Sequence, residues 1–103
     1  MLRVLALAAI AVCLQIQSSV AADAAHGQQL ALRWCESCHI VGAEERRTIA
    51  DGPPTFASVA RRPDFDVARL AFFLLDPHPV MPSMSLTRSE AADLSAYIAS
   101  LRK

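Results

Sequence analysis

Three side chains in one short run, Cys35, Cys38 and His39 of Trp34-Cys35-Glu36-Ser37-Cys38-His39, have the types and the spacing to do chemistry. Two thiols three positions apart, followed at once by an imidazole, form C-x-x-C-H, the pattern of covalent c-type haem attachment. On a helical turn, positions i and i+3 share a face, so both sulfurs can reach the two vinyl groups along one haem edge. The His39 imidazole then swings beneath the ring to take one axial position on iron. Two other chemistries use the same thiols. A thiol–disulfide redox pair needs the motif beside a strand, at a helix N-terminus in a βαβ pattern, and no strand pattern is present. Structural zinc wants four protein ligands, and the chain has no second cysteine pair.

An iron held by His39 alone would be open to small ligands, so the second axial ligand decides between electron transfer and gas binding. Three residues late in the chain are candidates. Met81 stands in Val80-Met81-Pro82, Met84 lies three residues further on, and His78 sits between Pro77 and Pro79, which stiffen it without aiming it.

The 103-residue chain has room for one small domain, and its start reads as a leader. Met1-Leu2-Arg3 is positive, Val4 to Leu14 is almost wholly apolar, and small residues follow through Val20-Ala21-Ala22. This order of a charged start, an apolar stretch and a small-residue site is that of a secretory signal peptide. The apolar run of 11 residues falls short of the roughly 18 that span a bilayer. Residues 1–22 are therefore expected to be a cleaved signal peptide, taking Cys13 with them, and residues 23–103 to form the domain. An exported free thiol pair would oxidise, and thioether bonds to haem remove that problem. The formal charge of +0 shifts by one negative unit when Arg3 is lost, which gives no long-range pull towards nucleic acid. A domain this small has little core of its own, and a buried haem would add apolar area.

The elements that must position these residues read as helices. From Ala24, the positions Gly27, Leu30, Ala31, Trp34, Cys35 and Cys38 fall on one helical face. Gly27 on that face suggests either a close backbone approach or a glycine tolerated near a helix start, and His26 reads as a solvated helix residue. Ile40 to Asp66 has little periodicity apart from Phe56, Val59 and Ala60, spaced for a short turn with Thr55 as its cap. Asp66 then caps a helix carrying Val67, Leu70, Ala71, Leu74 and Leu75 on one face, widened by Phe72 and Phe73, and Asp76-Pro77-His78-Pro79 stops it. Thr87-Arg88-Ser89-Glu90 is a capping box opening a last helix with Ala91, Leu94, Ile98 and Leu101 on one side and Tyr97 adjoining. The fold class is all-α.

From Gly27 through Leu101 the chain resembles the class I c-type cytochromes, on the strength of Cys35-x-x-Cys38-His39, the Met81-Pro82 pair and its distance from Tyr97. The resemblance implies N- and C-terminal helices packed together around one covalently attached haem, with Gly27 set against the aromatic Tyr97. It implies haem c bound through Cys35 and Cys38, with His39 and Met81 as its iron ligands and Met84 packed nearby. It also implies a proline carbonyl, from Pro54 or Pro53, accepting a hydrogen bond from His39. The mitochondrial type has a tryptophan on the propionate side that has no counterpart here; Arg61 and Arg62, or solvent, would face the propionates instead. The function implied is single-electron transfer with no catalytic residue. The protein would be a periplasmic or secreted monomeric carrier that meets redox donor and acceptor proteins transiently, or else a dedicated subunit of a dehydrogenase or oxidase. Neither nucleic acid nor a stable membrane span is expected.

Overall fold

The structure, a computed structural model, describes residues 21–43, 52–76 and 81–103. Nearly all of the expected leader with Cys13, the charged stretch around Arg46, and His78 lie outside the described residues.

Four helices follow one another: α1 Ala24–Trp34, α2 Phe56–Ala60, α3 Val67–Leu75 and α4 Arg88–Ser100. Each starts where a side-chain oxygen satisfies an amide that the helix itself leaves unpaired. Asp23 accepts from the His26 amide, Thr55 from Ser58, and Asp66 from Arg69. At α4 the capping box is complete: Thr87 Oγ1 accepts from the Glu90 amide at 3.1 Å, and Glu90 Oε1 accepts from the Thr87 amide at 3.0 Å. Among the described residues there is no strand, as the periodicity predicts.

Helix α4 is the centre of the fold, packing against α1, α3 and α2. Its Ala91, Leu94, Tyr97 and Ile98 are buried together with Ala31, Cys35, Val41, Phe56, Ala60 and Leu74. The crossing of α1 over α4 is close because Gly27 has no side chain: a Cβ there would run into the Asp93 carbonyl and lie 2.9 Å from the Leu94 nitrogen. Gly27 is thus a close-approach glycine. Its immediate neighbours are backbone atoms, and Tyr97 comes one turn later along α4. The Tyr97 hydroxyl, whose pKa burial raises, donates to the Val41 carbonyl at 2.6 Å and ties α4 to the chain just beyond the C-x-x-C-H run.

Two faces differ from the periodic reading. On α3 only Leu74 is buried, while Val67 and Leu75 are exposed and Phe72 is 77 % exposed. Periodicity says which residues share a face; the width covered depends on the neighbouring element. On α1, Trp34 is 42 % exposed, with the Arg33 guanidinium 5.0 Å from its ring centroid.

Candidate haem-attachment site

Cys35 is the C-cap of α1, its amide bonded to the Ala31 carbonyl at 2.9 Å, and the next residues continue as a turn closed by the His39 amide on the Cys35 carbonyl at 2.8 Å. The turn sends Cys35 inward, 5 % exposed, and leaves Cys38 exposed. Burial, with Cys38 beside it, pushes the Cys35 thiol up, away from the lowered value of an activated redox thiolate. Among the described residues no three His, Cys, Asp or Glu side chains converge as a metal set.

His39 is oriented from two sides. Its Nδ1 lies 2.7 Å from the Pro54 carbonyl, and a carbonyl can only accept, so Nδ1 carries a proton and Nε2 is the ring nitrogen left to act as a ligand. The ring also lies 5.5 Å from that of buried Phe56, tilted by 44°. The loop that supplies both contacts is anchored by the Phe56 amide on the Ile40 carbonyl at 3.0 Å. Of the two prolines that the sequence offered for this bond, Pro54 makes it.

Two adjoining cavities, of about 440 and 310 Å³, share Cys35, His39, Pro54 and Met81 as walls. The larger runs between Phe56, Val59, Phe65, Leu70, Leu74 and Ile98, with Arg62, Arg69, Asp64 and Asp66 as its polar wall. The smaller opens past Trp34 and Cys38 towards Pro82 and Met84. Met81 therefore faces both spaces that His39 faces, and Met84 only the smaller. Arg62 lines the larger cavity; Arg61 is not among its walls. Arg69 is a wall residue that the sequence reading passed over, although its i+4 spacing to Phe73 puts the two on one helical face.

His26 is not simply a solvated residue. Its Nδ1 lies 2.7 Å from Asp93 Oδ2, an ion pair across the α1–α4 crossing. The bond to Asp93 raises the His26 pKa, and the Asp23 amide, followed by His26, lowers that of Asp93.

The terminal helices cross at a glycine, and the histidine of C-x-x-C-H and a methionine wall the same cleft. Over 93 residues the chain is 59 % identical to cytochrome c-552 of Bradyrhizobium diazoefficiens, a span covering 90 % of this chain and 88 % of that protein. No family model and no solved structure matches the chain. The chain belongs to the class I monohaem c-type cytochromes. It is an electron-transfer protein whose cofactor is haem c.

Proposed function

We propose that Cys35 and Cys38 would hold the haem through thioether bonds, that His39 Nε2 and the Met81 sulfur would ligate its iron, and that the protein is a monomeric periplasmic or secreted carrier meeting redox partners transiently. The observation that carries this reading is the pairing of His39, fixed on the Pro54 carbonyl, with Met81 across one shared cleft. Bound there, haem c supplies an iron that cycles by one electron between ferric and ferrous forms.

The chain's own residues set the conditions for that cycle. Pro54 holds the proton at His39 Nδ1, which fixes the ring and strengthens Nε2 as a donor. The Met81 thioether is a soft ligand that favours the reduced form. Phe56, Leu70, Leu74 and Ile98 exclude water and so disfavour the extra positive charge of the oxidised form. Arg62 and Arg69 are the cations available to the propionate carboxylates. Around exposed Cys38, the partly exposed Trp34 forms, with Pro82, a rim that suits a small and transient contact. Among the described residues no helix is long and apolar enough to cross a membrane.

The test is to export the full chain from a host equipped for c-type haem maturation and record its visible spectra. The expected result is haem that stays with the denatured polypeptide, and a weak far-red band of methionine-to-ferric-iron ligation that Met81→Ala abolishes and Met84→Ala keeps. The Met81→Ala protein should also have a lower reduction potential. A spectrum and potential unchanged in Met81→Ala would show the ligand assignment to be wrong. Stable co-purification with one dehydrogenase or oxidase would replace the free carrier by a dedicated subunit.

A further inference from the structure

Asp93 on α4 is 8 % exposed and commits both carboxylate oxygens across the helix crossing. Its Oδ1 accepts from the Asp23 backbone nitrogen at 2.7 Å and its Oδ2 from His26 Nδ1 at 2.7 Å. Asp23 is at the same time the N-cap of α1, so a single residue starts that helix and ties it to α4. The titratable groups facing one another here are the carboxylates of Asp23, Glu90 and Asp93 and the imidazole of His26. Three acids against one base leave the cluster negative even when His26 is protonated. A buried carboxylate calls for a full opposite charge, and an amide N–H offers only a dipole. The nitrogen on Asp93 Oδ1 belongs to the residue that directly follows the small-residue run Val20-Ala21-Ala22.

We propose that cleavage between Ala22 and Asp23 turns this amide nitrogen into an α-ammonium that pairs with Asp93, so that removal of the leader completes the electrostatic lock between α1 and α4. A leader-removing peptidase breaks the Ala22–Asp23 amide bond. Water gives its hydroxyl to the Ala22 acyl carbon and a proton to the Asp23 nitrogen, and the new acid's proton passes to the amine. Ala22 leaves as a carboxylate and Asp23 begins the mature chain as an ammonium. The charge appears at the atom already bonded to Asp93 Oδ1, where it makes the bond charge-assisted on both sides. The inference rests on the signal-peptide reading and not on the haem ligands, and the two fail in different instruments.

The experiment uses the exported holoprotein, whose visible spectrum reports the haem and whose intact mass and N-terminal sequence report the processing. Lys103 is the only lysine, so the mature chain carries two amines, the Asp23 α-amine and an internal reference. Trace acetylation near neutral pH gives the ratio of labelling at the two. The chain is expected to begin at Asp23. The α-amine-to-Lys103 ratio should be about tenfold lower in the native protein than in guanidinium-unfolded protein or in native Asp93→Asn, the effect of one pKa unit. A chain beginning at any other residue overturns the proposal, as do equal ratios in native and unfolded protein or in native wild type and native Asp93→Asn. Should Asp93→Asn fail to fold, the native-against-unfolded comparison decides.

Discussion

At His39 a backbone carbonyl does what a side chain often does at other metal sites. The Pro54 oxygen takes the Nδ1 proton, and proline's fixed φ stiffens the segment that presents it. Gly27 is the second residue on which much depends, although it touches no part of the cleft. Any Cβ at that position collides with the Asp93 carbonyl, a backbone atom that cannot rotate away. Gly27→Ala is accordingly expected to destabilise the holoprotein by about 1–3 kcal/mol, the usual cost of overpacking, even though alanine is the better helix former. Guanidinium unfolding measures this, and a midpoint equal to wild type would show that α1 and α4 can part without penalty.

Helix α4 collects the contacts of the other three, so its start is where the elements are most exposed to a local change. The reciprocal Thr87–Glu90 bonds satisfy two amides that would otherwise lack partners at that end. Removing the hydroxyl in Thr87→Ala should cost about 0.5–2 kcal/mol, read from the unfolding midpoint, with the haem spectrum unchanged. A shifted methionine-ligation band instead would mean that the cap also positions the Met81 segment. Helix α3 contrasts with α4: Leu70, Phe73 and Leu74 wall the larger cavity, while Val67 and Phe72 face outward.

The whole molecule is closed by the α1–α4 crossing, and its ion pair makes that closure depend on pH. His26 has its folded pKa raised above 6.5, first by the hydrogen bond to Asp93, so its contribution is complete below 6.5 and is lost as pH rises through the raised value. Asp93 has its folded pKa lowered below 3.8, first by the Asp23 amide and then by His26. Its contribution is present above 3.8 and is lost as pH falls through the lowered value. The crossing is thus tightest between these limits. His26→Gln is expected to remove the part of the alkaline decline in stability that begins near pH 6.5, leaving the rest of the profile in place. Parallel wild-type and His26→Gln curves over that range would show that the pair does not couple to folding.

The all-α class, the capping residues Thr55, Asp66 and Thr87 with Glu90, and the C-x-x-C-H turn were legible in the residue pattern, which also offered Met81, Met84 and His78 as second ligands. These rest on spacings of three or four residues, and a helix turn converts such spacings directly into neighbours. The folded chain was needed to choose Pro54 over Pro53 as the partner of His39, to bring Arg69 to the cavity wall with Arg62, and to set Met81 against both cavities. It also decided that His26 pairs with Asp93. These contacts join residues far apart in the chain, and each depends on the register in which α1 crosses α4 and on the path of the loop before α2. Local pattern offers Gly27 as a close-approach position but does not say which backbone it meets. The register is set where two backbones meet, at the one position, Gly27, that has no side chain to keep them apart.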